Sequence, residues 1–329
     1  MPSYPGMPYG AAPSWCFPLF EFSMYLLFLF CLRFAIKKGK RDVVYLLGGL
    51  AFGLTLEYIE VISGMGYTYG QFTLMFGHAP QNIPLCIGVG WGIIMYSARL
   101  FSDSLGLGFW ACAALDTLLA INIDLSMDTV AYRMHMWNWN WQGTNLNPMT
   151  AQWFGVPFGN FFGWQVVVFC YSAFSRFYER KLLPAKTKAI LRFIAVGILA
   201  LISSEIILYA LEAYLEEFLR IKLGISSLDR FAGTLVILIL IVIFGWRKRN
   251  LARQTSPLVS WYVPTWFHLY FFGCLFLLNF YLENKWMTVA SCVNIIIGIG
   301  IHVFPGYRNP TNKAMRMQTA GKLKKHKKN

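Results

Sequence analysis

The stretch that decides the fold runs from residue 116 to residue 164: DTLLAINIDLSMDTVAYRMHMWNWNWQGTNLNPMTAQWFGVPFGNFFGW. It starts inside an apolar segment of helical length and passes through a loop in which tryptophan alternates with asparagine. It returns to apolar sequence at Gly155-Val156-Pro157. Acids at the end of an apolar span, aromatic rings beside them and a Gly/Pro/Asn turn leading back indicate a site at the boundary of a lipid bilayer.

The composition of the whole chain is typical of an integral membrane protein. Of its 329 residues, 57% are hydrophobic and only 13% are charged, whereas soluble domains carry roughly 25% charged residues. The seven cysteines contain no Cys-x-x-Cys pair, so neither a disulfide framework nor a cysteine metal site is predicted. The five histidines form no H-x-x-H or H-x-x-x-H pattern. This excludes the membrane desaturases and hydroxylases, whose di-iron sites need clustered histidines.

Apolar runs of helical length recur along the chain, and about 20 residues suffice to span the hydrocarbon. We count nine runs, at 17–36, 43–62, 83–101, 107–126, 158–177, 189–210, 231–246, 264–282 and 286–304. They predict an all-α polytopic bundle of about nine transmembrane helices in a single domain, 1–329. Its expected parts are an external segment (1–16), a motif-bearing front half (17–180), a plainer helical back half (181–304) and a basic cytoplasmic tail (305–329).

The distribution of basic residues predicts the orientation of the bundle. Placing the N-terminus outside and the C-terminus inside puts 24 of the 29 Lys and Arg residues at cytoplasmic ends, as the positive-inside rule requires. The +14 net charge therefore follows the alternation of loops. The tail KLKKHKKN has no aromatic interleaving, so attraction to membrane lipids is expected and nucleic-acid binding is not. Residues 211–230 are predicted to lie along the interface as an amphipathic segment.

Several acids fall inside the predicted spans without a Lys or Arg at comparable depth: Glu21, Glu57, Glu60, Asp116, Asp124 and Glu205. A carboxyl group without a partner in a low dielectric tends to bind a proton rather than stay ionised. These acids are therefore candidate proton donors, and a structural hydrogen bond is the alternative role for each of them.

Two acid pairs have helical spacing. Glu57 and Glu60 are three residues apart and Asp124 and Asp128 are four apart, so each pair lies on one helical face. If the second and fourth spans are neighbours, both pairs end at the same outer boundary. Arg133 follows Asp128 by five residues and is expected either to pair with an aspartate or to brace the loop.

Tryptophans cluster around these acids, at positions 91, 137, 139, 141, 153 and 164. Aromatic belts are common at membrane interfaces. Aromatic faces also stabilise cations, by about 0.5–2 kcal/mol each. Acids, aromatic rings and apolar surroundings together suit the protonation of an isolated alkene in a lipid, followed by capture of the carbocation.

Four segments carry a family resemblance: 57–72 (EYIEVISGMGYTYGQF), 83–96 (IPLCIGVGWGIIMY), 124–139 (DLSMDTVAYRMHMWNW) and 155–164 (GVPFGNFFGW). In order and spacing they resemble the carotenoid biosynthesis membrane proteins, the family that contains the CruF-type carotenoid hydratases. The chain departs from the family pattern at Thr129, where proline is usual, and this predicts a different exit of the helix from the membrane.

The resemblance implies a multi-pass enzyme of the cell membrane that adds water across the terminal 1,2 double bond of a long polyene with a ψ end group. It implies no metal and no redox cofactor. Glu57 or Glu60 is expected to donate the proton, and Asp124 and Asp128, braced by Arg133 and assisted by Asn160, to position water, although the acids can exchange roles. The expected substrate contacts are Trp91, Tyr96, Trp137, Trp139, Pro157 and Trp164.

Three other functions remain open at this stage. A membrane terpene cyclase shares the protonation step and differs in what captures the cation. A Mg²⁺-dependent prenyltransferase is loosely indicated by NIDLSMD, although its second acidic motif is missing. A proton-coupled transporter or lipid-binding protein would use the same acids as a relay.

Overall fold

The computed structural model describes residues 10–63, 67–141, 145–147, 149–183, 190–211, 218–247 and 256–303. Nine α-helices occupy most of this part of the chain. They are α1 (Cys16–Lys38), α2 (Lys40–Ile62), α3 (Leu85–Ser104), α4 (Phe109–Arg133), α5 (Phe158–Leu182), α6 (Ile190–Ala210), α7 (Ser227–Arg247), α8 (Val259–Leu277) and α9 (Lys285–Val303). Four short strands lie between them: β1 (Tyr67–Tyr69), β2 (Met75–Phe76), β3 (Ile83–Pro84) and β4 (Trp137–Trp139).

Seven of the nine helices are long and apolar enough to cross a membrane: α1, α2, α3, α4, α6, α7 and α9. The other two, α5 and α8, occur where spans were expected, but they contain a larger share of polar and aromatic residues than those seven helices. Side chains on the surface of α6 and α7 are largely apolar and exposed, as lipid-facing helices require. The prediction of an all-α polytopic membrane bundle is confirmed.

Contacts between helix ends show which ends lie on the same side of the bundle. The loop after α2 pairs with the loop after α4 through β1 and β4, and Arg133 at the end of α4 binds Glu283 in the α8–α9 turn. At the opposite end, Phe101 of α3 packs on His302 of α9. Helices α2, α4 and α8 therefore end on one side, and α3 and α9 end on the other. The basic tail lies outside the described residues, so the N-out, C-in orientation stays a prediction.

Glycines let α2 and α3 approach closely. A Cβ added at Gly49 would lie 3.2 Å from the Cα of Gly92, and one at Gly53 would lie 2.4 Å from the Cβ of Trp91. Small residues at a helix crossing allow this approach because they remove the side chain that would separate the backbones. The second and fourth spans flank α3, which packs against both of them.

Helix α4 extends beyond the predicted end of its span. The expected boundary was residue 126, yet the helix continues through Thr129 to Arg133. The Thr129 hydroxyl donates to the carbonyl of Ser126 at 3.1 Å, and its own carbonyl accepts from Arg133 at 2.7 Å. Asp128 therefore lies on the same helix as Asp124, beyond the predicted end of the apolar run.

The loop between α2 and α3 is tied down by an acid of α1. The Glu21 carboxylate accepts hydrogen bonds from the backbone N–H groups of Thr73 and Leu74, at 2.7 and 2.9 Å. This buried acid therefore has a structural role. Of the predicted interfacial segment 211–230, the structure describes residue 211 and residues 218–230. Phe218–Lys222 forms a π-helical turn, and α7 starts soon afterwards.

Candidate functional site

A cavity of about 60 Å³ lies where α2, α3, α4 and α5 meet the paired loops. Carboxyl, amide and hydroxyl groups line one part of its wall, and the remaining wall consists of apolar and aromatic side chains. The lining residues are Phe20, Glu57, Tyr67, Tyr69, Cys86, Ile87, Gly90, Trp91, Ile94, Met127, Asp128, Trp137, Trp139, Asn160, Trp164 and Phe267. The volume is large enough for several water molecules.

Glu57 accepts three hydrogen bonds in this cavity. The indole N–H of Trp91 donates to its Oε1 at 2.8 Å, and the hydroxyls of Tyr67 and Tyr69 both donate to its Oε2 at 2.5 Å. The carboxyl group is buried. A carboxylate can accept this many donors because each oxygen carries two lone pairs.

The two tyrosines reach Glu57 because of the strand pairing. Strand β1 pairs antiparallel with β4, which places Tyr69 opposite Trp137 and Tyr67 opposite Trp139. Residues two apart on a strand point to the same face, so both hydroxyls face the cavity. Burial raises the pKa of each tyrosine hydroxyl well above the usual range for tyrosine. Both hydroxyls therefore keep their protons and act as donors.

Asp128 faces the same cavity from α4, and Asp124 lies directly behind it. The side-chain amide of Asn160 donates to Asp128 Oδ2 at 2.8 Å and to Asp124 Oδ2 at 3.3 Å. One amide nitrogen therefore lies within hydrogen-bonding distance of an oxygen of each aspartate, so the two carboxyl groups are close neighbours. Of the four acids in the two predicted pairs, Glu57, Asp124 and Asp128 therefore lie at or beside the cavity.

Aromatic rings form much of the remaining wall. Trp91 stacks on Trp164 with ring centroids 4.0 Å apart and an interplanar angle of 25°. Tyr69 meets Trp137 edge-on, with centroids 6.4 Å apart. A positive charge formed in the cavity would therefore lie beside aromatic rings, which stabilise a cation over their faces.

The cavity wall does not include three further residues that were predicted for the site: Glu60, Tyr96 and Pro157. Glu60 is half-buried beside Tyr67 and is absent from the cavity wall. Tyr96 is directed to the other end of α3, where its hydroxyl donates to Asp42 at 3.2 Å. Pro157 also lies outside the wall, but its carbonyl accepts from the backbone N–H of Asn160 at 3.0 Å, so it holds the first turn of α5.

Arg133 does not pair with either aspartate, contrary to the first of its two expected roles. Its guanidinium forms two hydrogen bonds of 2.6 Å with Glu283. Its remaining donors bind the backbone carbonyls of Thr129, Met149 and Phe154. Arg133 therefore braces the loop, and its acid partner lies outside the four segments that carry the family resemblance.

Asp116 also has an unexpected partner. No basic residue was expected at the depth of the intramembrane acids, yet Arg176 of α5 binds Asp116 at 2.7 Å, and both side chains are buried. The Ser172 hydroxyl donates to the same carboxylate oxygen at 2.6 Å. The expectation was wrong here because Arg176 is a buried residue of α5, which packs against α4, and does not lie in a loop.

The cavity residues that were not predicted as functional candidates include Tyr67, Tyr69, Phe20 and Phe267. The tyrosines belong to the Gly/Tyr loop quoted for the resemblance, which is a usable signal. Phe20 on α1 and Phe267 on α8 carry no such signal, because each lies in an ordinary apolar run.

A second buried polar cluster joins α4, α8 and α9. His268 lies 2.9 Å from the Asn122 side-chain oxygen, and the Asn122 amide donates to the carbonyl of Asn294 at 3.1 Å. The cluster fixes the packing of the C-terminal helices against α4. Within the described residues, no three His, Cys, Asp or Glu side chains are grouped in a way that would hold a metal ion.

Comparison with known proteins shows the family to which the chain belongs. A family model described as "Carotenoid biosynthesis protein" matches residues 17–226, which include every polar residue of the cavity. No curated protein and no solved structure matches the chain. Because the family model covers more than half of its length, this multi-pass membrane chain belongs to the carotenoid biosynthesis protein family.

Proposed function

We propose that this protein is a carotenoid hydratase that adds water across the terminal 1,2 double bond of a polyene with a ψ end group. One observation carries the proposal: the carboxyl groups of Glu57 and Asp128 face a single cavity whose other walls are aromatic and apolar. Family membership supports the substrate class, and the membrane bundle suits a substrate that is dissolved in lipid.

The chemistry needs an acid, a stabilised cation and a water molecule. A proton bound to a carboxyl group of the cavity moves to the less substituted alkene carbon, and the positive charge collects on the tertiary carbon. The faces of Trp91 and Trp164 stabilise this charge. Water then attacks the tertiary carbon and loses its proton to a carboxylate, so that one water is added overall. Acid and base placement of this kind contributes about 10²–10⁴-fold to the rate.

The cavity is lined both by apolar side chains and by two carboxyl groups. Its apolar part is formed by Phe20, Ile94 and Phe267 and suits the polyene chain, whereas Glu57 and Asp128 mark the part where the reacting carbons would lie. The polyene chain would therefore contact the apolar side chains, and its reacting carbons would lie near the carboxyl groups.

The test measures product mass in a host that accumulates a linear ψ-end polyene. The intact chain is expected to convert the pigment into a product heavier by one water, and Glu57→Gln and Asp128→Asn are expected to lose most of this conversion. Asp229→Asn is the matched control, because it removes an exposed acid at the start of α7. Full conversion by both cavity variants would overturn the proposal.

The same assay separates the alternatives. A product of unchanged mass and altered retention indicates cyclisation by the same protonation step. Proton-coupled flux in liposomes with no change in the pigment indicates a transporter. Either result would replace hydration as the function of the cavity.

A further inference from the structure

The acids of the cavity have different hydrogen-bonding environments, and this difference separates their roles. Glu57 accepts from three donors, whereas Asp128 shares its single amide donor with a second carboxyl group. The sequence analysis had favoured Glu57 or Glu60 as the proton donor and had left the roles exchangeable.

The contacts of Glu57 match an ionised carboxylate. Trp91 has only a donor to offer, so Oε1 must accept from it. Both tyrosine hydroxyls approach Oε2, and burial keeps both of them protonated. Each of these three hydrogen bonds is stronger to an ionised acceptor than to a neutral one, so the three donors together favour the ionised form of Glu57.

The contacts of Asp128 match a carboxyl group that shares a proton. Asn160 holds an oxygen of each aspartate next to one amide nitrogen, and two ionised carboxylates this close repel each other, so one of the pair tends to bind a proton. Asn160 donates to one oxygen of each aspartate, which favours negative charge on the pair but does not supply the missing proton. Only Asp128 of this pair lines the cavity.

We infer that the Asp124–Asp128 pair is the proton donor, with Asp128 as its catalytic member, and that Glu57 is a permanently ionised carboxylate that stabilises the carbocation. The transfer step rests on the proposed function, whereas the protonation states describe the resting protein. The Asp128 proton moves to the alkene carbon as the π pair forms the new C–H bond. Water attacks the tertiary cation, and its released proton restores the aspartate pair, leaving Glu57 unchanged.

In this assignment Trp91 and the tyrosines are positioning residues. They hold Glu57 in place, and the hydrogen bond from Trp91 to an anion makes the indole more electron-rich. The stacked pair of Trp91 and Trp164 then lies beside the negative charge, so the cation is stabilised both by the carboxylate and by the ring faces.

Infrared difference spectra of the detergent-solubilised full chain test the assignment without any substrate. Subtracting the Asp128→Asn spectrum from that of the unmodified protein is expected to show the C=O band of a protonated carboxyl group. The same subtraction with Glu57→Gln is expected to show the band of an ionised carboxylate. The opposite pattern, with the protonated band lost in Glu57→Gln, would overturn the assignment.

A second variant keeps the test decisive if Asp128→Asn does not fold. Asp124→Asn leaves the cavity wall intact but removes the partner that shares the proton, so it is expected to shift or abolish the same C=O band. An unchanged band in Asp124→Asn would contradict the shared proton. Spectra that agree with the assignment while the intact chain adds no water to a polyene would refute the proposed function and leave the protonation states standing.

Discussion

Arg133 and Glu283 are 150 positions apart in the sequence, yet their side chains form a two-pronged ion pair with both N···O distances at 2.6 Å. Arg133 lies at the end of α4, close to the cavity, whereas Glu283 lies in the turn before α9 and outside the range that the family model matches. The C-terminal helices are therefore fastened to the loop that follows the site helix.

Glu283→Gln is expected to destabilise the protein, because it leaves the buried Arg133 charge without its anion. Removing one partner of a buried ion pair costs about 3–5 kcal/mol. Thermal unfolding in detergent measures the loss. The half-exposed pair Lys38–Asp42, with an N···O distance of 3.0 Å, is the control, since Lys38→Met should cost less than about 1 kcal/mol. Equal losses in both variants would show that the pair does not brace the fold.

Gly298→Ala is expected to loosen the contact between α9 and the other C-terminal helices. The added Cβ would lie 2.2 Å from His268 Nε2 and 2.4 Å from the Asn122 side-chain oxygen, and overpacking of this kind costs about 1–3 kcal/mol. Gly300→Ala is the matched control in the same helix, because its Cβ would meet nothing within 4 Å. We expect a lower unfolding temperature for Gly298→Ala only; a loss shared by Gly300→Ala would argue against a specific clash.

Gly53→Ala is expected to reduce water addition to the polyene. Its Cβ would lie 2.4–2.5 Å from three atoms of Trp91, which must then move away from Glu57 and Trp164. Mass spectrometry of the pigment measures how much has gained one water, and this amount is divided by the amount of folded protein. Gly273→Ala on α8, with nothing within 4 Å of the added Cβ, should keep its activity. Full conversion by Gly53→Ala would show that the position of Trp91 is unimportant.

Asp116→Asn is expected to affect stability and to spare the reaction. It removes the anion bound to Arg176, and the cost falls toward the lower end of about 3–5 kcal/mol because Asp103 still pairs with Arg176 at 2.9 Å. Asp116 does not line the cavity, so conversion per folded molecule should match that of the unmodified protein. A changed ratio of hydrated to unreacted pigment in Asp116→Asn would show that the Asp116–Arg176 pair affects the reaction.

Addition of a metal chelator is expected to leave conversion unchanged, because alkene protonation by carboxyl groups needs no metal ion. A Mg²⁺-dependent prenyltransferase would lose its activity under the same treatment, since Mg²⁺ bridges the diphosphate of its substrate. Pigment conversion by purified protein with and without chelator checks this, and restoration by added Mg²⁺ would favour the prenyltransferase.

The helices and the acid-bearing faces could be predicted from the sequence. Each helix forms all of its backbone hydrogen bonds within its own segment, and lipid selects apolar side chains over that length. Local information was therefore sufficient for the nine helices, and for placing Glu57 and Asp128 near the same end of the bundle. The resemblance also selected Asn160, Trp91 and Trp164, all of which line the cavity.

The tertiary structure alone decided which of these side chains meet. Arg133 was expected beside the aspartates but binds Glu283, and Asp116 was expected without a basic partner but binds Arg176. Tyr67 and Tyr69 reach Glu57 because two loops pair as strands. These partners depend on the rotation of each helix and on which helices are neighbours. Both properties arise from contacts between distant segments, and the hydrophobic pattern of a single span does not contain them.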